Sequence, residues 1–263
     1  MVPPLVDIHC HLLPAIDDGA ANLDEALAMA RMAVEDGIRT VIATPHQLGN
    51  FPENRGEDIR QRVFALQEQV DSRKIPLQLL AGADVRIEDG MAEVIRNGEV
   101  VTLADRRRHV LLELPHEFYF PVEPVLAQLA RQEMAGILSH PERNRGILRQ
   151  PALLGPLVEA GCLMQVTAGS LCGTFGRASE KLACQMVCDG LVHFVATDAH
   201  GIRVRRPRLG RAFQRVVKLV GREAAEVLFC HNPASVAEGR SVARGRPWVP
   251  RRSVWMGRRK VAG

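Results

Sequence analysis

His9 and His11, one residue apart, end the apolar run Leu5-Val6-Asp7-Ile8, and Asp17-Asp18-Gly19 follows shortly after. Side chains alternate along an extended segment, so two imidazoles at this spacing face the same way. A strand of this kind, breaking into an acidic turn, offers the nitrogen and oxygen donors of a metal centre. The arrangement recurs along the chain. His46 follows Val41-Ile42-Ala43, Asp84 closes Leu79-Leu80-Ala81-Gly82-Ala83, and Glu113 closes Val110-Leu111-Leu112. His140 ends Ile137-Leu138-Ser139, and Asp198-Ala199-His200 follows Phe194-Val195-Ala196. One histidine at a strand end is usually a hydrogen-bonded packing residue. Six apolar runs that each end in His, Asp or Glu point instead to a shared site.

Nine candidate ligands result: His9, His11, Asp18, His46, Asp84, Glu113, His140, Asp198 and His200. An ion takes about four to six donors, so this number implies two or three ions bridged by carboxylates. Mixed imidazole and carboxylate donors suit manganese, iron or zinc, which accept both nitrogen and oxygen, with manganese the expected metal. Ions about 3.5–4 Å apart bind the attacking and leaving oxygens of a phosphoryl ester and supply hydroxide near neutral pH. His109, His116, His193 and His231 lack this setting and read as packing or surface residues.

Strand and helix signals alternate around these positions. Asn22 and Glu25 resemble a capping box opening a helix that stops at Gly37. Strands are expected at 5–8, 38–43, 77–81, 109–114, 136–139, 162–167 and 191–197. The intervening helices are expected at 58–73, 123–134, 151–160 and 179–189, with two more at 208–220 and 222–230; residues 47–57 read as a loop. Strands separated by helices imply right-handed crossovers and a parallel sheet. Seven strands with polar carboxyl ends fit a closed or distorted β/α barrel, whose reactive groups gather at that face. An open doubly wound sheet is the alternative, but it collects ligands from only two or three strands.

The 263 residues, 46% apolar, suffice for one large domain with its own core. No apolar stretch approaches the roughly 20 residues of a membrane span. The first strand begins by Val6 with no basic, then apolar, leader before it, so the cytoplasm is the expected location. The net charge of +4 is −3 over the first 240 residues and +7 over residues 241–263. That segment also holds both tryptophans, Trp248 and Trp255. Residues 1–240 are therefore expected to form the catalytic barrel, and 241–263 a basic, disordered tail able to touch an anionic membrane surface. A nucleic-acid partner is not expected, because the charge lies in the tail and the body offers no aromatic stacking surface. The six cysteines form no C-x-x-C pair, and none has an arginine six residues later, which leaves a covalent cysteine-phosphatase route unsupported.

Asp7-Ile8-His9-Cys10-His11, Thr44-Pro45-His46, Glu113-Leu114-Pro115, Ser139-His140-Pro141-Glu142-Arg143 and Thr197-Asp198-Ala199-His200 together resemble the polymerase-and-histidinol-phosphatase (PHP) superfamily. Leu12 to Gly19 and His140-Pro141-Glu142-Arg143 narrow the resemblance to the bacterial tyrosine-protein phosphatases of capsule and exopolysaccharide operons. This resemblance, over about residues 5–239, implies a distorted (β/α)7 barrel of the PHP type with three divalent metal ions. His9, His11, Asp84 and Asp198 would hold the first, Asp84, Glu113 and His140 the second, and Asp18, His46 and His200 the third. The family pattern usually has Glu where this chain has Asp84. Arg143 and Arg206 would bind the phosphoryl group, whose planar pairs of oxygens a guanidinium fork matches. Hydroxide supplied by the metals would attack phosphorus in line. The implied substrate is a phosphotyrosyl protein, a membrane-associated tyrosine autokinase. A small-molecule phosphoesterase of the histidinol-phosphatase type and a non-catalytic metal-binding regulator are the rival readings.

Overall fold

A computed structural model describes residues 3–247. Its strands are β1 (Leu5–Cys10), β2 (Ile38–Ala43), β3 (His46–Gln47), β4 (Gln78–Ala81), β5 (Asp84–Arg86), β6 (His109–Glu113), β7 (Ala135–Ser139), β8 (Leu163–Thr167) and β9 (Phe194–Ala196). They form two parallel sheets, ordered β1-β2-β4 and β3-β5-β6-β7-β8-β9. The split is local. Pro45 lacks an N–H and interrupts β2 from β3, and Gly82-Ala83 interrupts β4 from β5. Pairing nevertheless continues across the gaps, from Gly82 N to Ala43 O (3.0 Å) and from Asp84 N to Pro45 O (3.0 Å). Taken as β2/β3 and β4/β5, the strands number seven, as the alternation of signals predicts.

The barrel closes between β1 and β9. The Asp198 amide donates to His9 O (2.7 Å), the His11 amide donates to Ala199 O (2.8 Å), and Cys10 bridges Ala199. Asp7 reinforces this seam from within. Its fully buried carboxylate accepts from the backbone N–H of Thr197 (3.0 Å), the Thr197 hydroxyl and the His9 N–H (3.3 Å). Burial raises this carboxyl to about 6, against the bonds from Thr197 and His9. With the folded value above the unfolded one, its contribution to stability is present below about pH 4 and is lost as pH rises through 6. Asp7→Ala strands two buried backbone donors, while the Thr197 hydroxyl keeps His9 O (3.3 Å), and should lower stability by about 3 kcal/mol, read from the urea midpoint. Asp7→Asn keeps one acceptor oxygen and should lose less.

Apolar residues fill two layers. Val6, Ile8, Ile42, Leu111, Ile137, Leu163, Phe194 and Ala196, from six of the seven strands, pack together in one cluster, and a larger cluster lies between strands and helices. Val6 and Ile8 belong to the first cluster while Cys10 belongs to the second. The switch coincides with a one-residue slip in β1–β2 register between Asp7 and Cys10. Such a bulge re-aims the side chains beyond it: strict alternation would keep Cys10 in the layer of Val6 and Ile8, and here Cys10 enters the other layer instead.

The helices follow the expected order with shifted ends. Leu23–Glu35 is capped by Asn22 Oδ1, which accepts from Glu25 N (3.0 Å), while Glu25 reaches the Ala21 N–H (3.1 Å) rather than its own cap. The helices Gly56–Ser72, Gly176–Cys188 and Gly210–Val220 lie where the periodicity places them. The expected helix at 123–134 ends at Ala130, and that at 222–230 passes from Arg222–Glu226 into a π-turn at Val227–His231. The expected loop at 47–57 contains the end of β3, and Met91–Arg96 and Asn232–Ala237 are helices without a sequence signal. Among the described residues, no helix is long and apolar enough to cross a membrane.

The segment after residue 240 does not leave the barrel at once. Val242 is buried in the inner cluster, His193 Nε2 pairs with Gly245 O (2.7 Å), and Arg246 donates to Asp189 O (2.9 Å). The expected tail thus begins as packed chain. Trp248, Trp255 and the remainder of the basic segment lie outside the described residues.

Candidate metal centre

All nine sequence-derived ligands converge at the carboxyl ends of the strands. Their donor atoms form four overlapping groups: His11, Asp18, His46 and His200; His9, His11 and Asp84; His9, His140 and Asp198; and His46, Asp84 and Glu113. Asp84 Oδ2 sits centrally, 3.5 Å from His9 Nε2, 3.6 Å from His46 Nδ1 and 3.9 Å from His140 Nε2. Asp198 Oδ1 lies 3.3 Å from His9 and 3.6 Å from both His11 and His200. Asp18 Oδ1 lies 3.4 Å from His46 and 3.3 Å from His200. Glu113 approaches His46 at 3.7 Å and His140 at 4.0 Å.

The donors fit metal ions. Both oxygens of Asp84 are fully buried without a hydrogen-bond partner. A buried carboxylate without donors is costly unless a cation satisfies it.

Three imidazoles are held from behind, as second partners orient metal-ligating histidines. His9 Nδ1 pairs with Gln165 Oε1 (2.8 Å), His11 Nδ1 with Asp17 Oδ2 (2.7 Å), and His200 Nδ1 with Asp198 O (3.0 Å). Each pairing turns the opposite nitrogen, Nε2, toward the cluster. Asp17 also accepts from the Gly19 N–H (2.9 Å) and the His46 N–H (3.0 Å), tying the acidic turn to two ligands. Gly19 is required there, since a Cβ would meet His11 O at 2.3 Å.

The backbone itself is bent to aim the ligands. His140 (φ 33°) and Asp198 (φ 50°) adopt left-handed conformations where β7 and β9 end. For residues with a side chain this costs of order 1–3 kcal/mol and persists only where the surroundings enforce it. Beyond His140, the buried Glu142 accepts from Thr167 N (3.0 Å) and Ser170 Oγ (2.6 Å), pinning the His140-Pro141-Glu142-Arg143 turn to β8.

Protonation follows the same contacts. Burial opposes charge on His9, but Asp198 and Asp84 prevail and raise it to about 9. His46 likewise resists burial through Asp18, Asp84 and Glu113, reaching about 9. Burial and neighbouring Asp84 push Glu113 up to about 7, whereas burial and His200 lower His11 to about 4. Cations and protons compete for these atoms, so metal affinity rises with pH.

Two guanidiniums border the cluster, though not both of those expected. Arg143 and Arg205 each donate to Asp198 Oδ2, and Arg143 stacks 4.2 Å above the Phe175 ring. Arg206 is exposed and donates to Arg203 O (2.7 Å). The turn places Arg205 inward and its neighbour outward, because the His200 and Gly201 amides both bond Arg205 O. Four arginines within six residues offer no sequence signal to separate them. Gln165 carries a sequence signal, as a lone amide inside an apolar strand, whereas no sequence signal separates Asp17 from Asp18.

A parallel barrel with a multinuclear centre of imidazoles and carboxylates at its carboxyl face defines a metal-dependent hydrolase. The chain belongs to the CpsB/CapC family of capsular polysaccharide synthesis, whose profile matches residues 5–238. It is 36% identical over 226 residues to the tyrosine-protein phosphatase YwqE of Bacillus subtilis, covering 85% of this chain and 88% of that protein. It is 34% identical over 210 residues to the putative tyrosine-protein phosphatase CapC of Staphylococcus aureus, covering 80% and 82%. Among solved structures, one from the work on YwqE of B. subtilis and CpsB of Streptococcus pneumoniae, described as unique metal-dependent tyrosine phosphatases, superposes with a TM-score of 0.88 at 34% identity. That match covers 94% of this chain and 100% of the other. A lactonase of Listeria monocytogenes, with a TM-score of 0.52 at 11% identity, shares the fold alone.

Proposed function

We propose that the protein is a metal-dependent protein-tyrosine phosphatase that hydrolyses phosphotyrosine on a membrane-associated tyrosine autokinase governing capsular or exopolysaccharide synthesis. The observation that supports this reading is a cluster of nine histidine and carboxylate side chains bordered by two arginines, in a chain that matches a solved structure from the work on metal-dependent tyrosine phosphatases over 94% of its length. His9, His11, Asp84 and Asp198 would hold one ion, Asp84, Glu113 and His140 a second, and Asp18, His46 and His200 a third. Manganese is the proposed metal, and the cytoplasm the proposed location.

When bound, divalent ions bring the pKa of water near neutrality and polarise phosphoryl oxygens. The chain's own groups do the rest. Asp17 and Gln165 keep His11 and His9 in the tautomer that presents Nε2. Arg143 and Arg205 have N–H groups to spare beyond their bonds to Asp198, and these neutralise the equatorial oxygens of the phosphoryl group as charge develops. Phe175 holds the Arg143 fork in place by stacking.

A phosphotyrosyl peptide and histidinol phosphate, each assayed with manganese and with chelator, separate the three readings. The peptide should be hydrolysed faster, with activity lost on chelation and restored by manganese. Faster turnover of histidinol phosphate would make the protein a small-molecule phosphoesterase. Failure on both with metals bound would leave a regulator.

A further inference from the structure

Beside the metal centre lies a cavity of about 260 Å³ that opens directly off the ligands Asp18, His46 and Glu113. Its remaining wall includes Leu48, Phe51 and Arg86. This volume is below the roughly 300 Å³ at which sites for drug-sized ligands begin, and so suits one ring rather than an extended ligand. Phe51 lies parallel to the His46 imidazole, with 5.3 Å between centroids and 17° between planes.

The loop that carries Phe51 is built, not slack. Leu48 (φ 66°) and Gly49 (φ 58°) are consecutive left-handed residues, and Leu48, packed against the hydrophobic core, carries a backbone penalty there. The Phe51 N–H closes the turn onto Leu48 O (3.0 Å). Asn54 Nδ2 donates to His46 O (2.8 Å) and Ile16 O (3.1 Å), and Gln47 Nε2 donates to Asn54 O (2.8 Å). Across the cavity, Arg86 is fixed to Glu113 (3.1 Å) and packs against Gly49, where a Cβ would meet Arg86 Cγ at 2.8 Å.

We propose that this cavity is an aryl subsite, with Phe51 as the residue that makes the centre prefer aromatic over aliphatic phosphate esters. This rests on the phosphatase reading above. With divalent ions held at Asp18, His46 and Glu113 to attract the phosphoryl group, the adjoining cavity would be open to its ester substituent. A flat ring meets Phe51 edge or face and offers its negative face to the Arg86 guanidinium. A short aliphatic ester satisfies neither wall, which disfavours seryl and threonyl phosphates.

Calorimetric titration of the manganese-loaded protein with benzylphosphonate and butylphosphonate, which are not turned over, tests the subsite. The intact protein should bind the aryl compound more tightly. Phe51→Ala and Phe51→Leu should each weaken aryl binding about three- to ten-fold, the value of one aromatic pair, without loss of bound manganese. Phe51→Tyr should restore it, which a merely structural role of Phe51 would not require. Equal affinity for the two phosphonates in the intact protein, or an aryl preference that survives in Phe51→Leu, would overturn the proposal. Because binding is read without turnover, an aryl preference in a protein that hydrolyses no phosphotyrosyl peptide would keep the subsite and sink the phosphatase reading.

Discussion

Asp84→Asn should leave a folded protein that has lost bound metal and more than about 100-fold of its turnover. Removing a mere outer-shell partner of a metal ligand typically costs 10- to 100-fold, and Asp84 is more central than that. Its carboxylate is fully buried, accepts no hydrogen bond, and lies within 4 Å of three imidazoles from three strands. The amide has the same shape but no charge, so it cannot join two cations. Burial opposes the charge on Asp84, yet His9, His46 and His140 hold its carboxyl well below the usual range. It is therefore ionised wherever the protein works. Metal content by mass spectrometry, with circular dichroism as the control for folding, checks the outcome. Undiminished metal with full turnover would remove Asp84 from the bridging role. Asp84→Glu retains the charge and restores the residue usual in the family pattern, so it should keep its metal.

Arg143→Ala and Arg205→Ala should each lower turnover of a phosphotyrosyl peptide by roughly 10²–10³, the loss seen on removing one preorganised donor to a developing negative charge. Arg143 is mostly buried, bonded to Asp198 and stacked on Phe175, so its position is set before substrate arrives. Arg205 reaches the same carboxylate oxygen from the turn after His200. Arg143→Lys keeps the charge but not the planar fork, and should recover only part of the loss. Arg206→Ala, at an exposed position bonded only to its own turn, should cost much less. Steady-state kinetics on the three alanine variants decide the assignment. A loss at Arg206 exceeding that at Arg205 would return the role to the residue the sequence pattern favours.

Much of this site was legible in the chain because its chemistry lies at strand ends. His9, His46, Asp84, Glu113, His140 and Asp198 each follow an apolar run, and a parallel barrel brings every such end to one face by its geometry alone. The seven strands, the nine clustered donor residues and the helix caps at Asn22 and Gly37 depend on local pattern, which a sequence displays. What tertiary structure decided is what depends on distant partners. The register slip in β1 that takes Cys10 out of the layer of Val6 and Ile8 arises from pairing with β2. That Arg205 rather than Arg206 reaches Asp198 comes from a turn folded back on His200 and Gly201. Asp17 and Gln165 matter through the distant groups they hold, and the docking of Val242 requires the inner cluster to exist first. Period and spacing place a residue on an element. Only long-range contacts fix which way its side chain turns, and that direction separates a ligand from its neighbour.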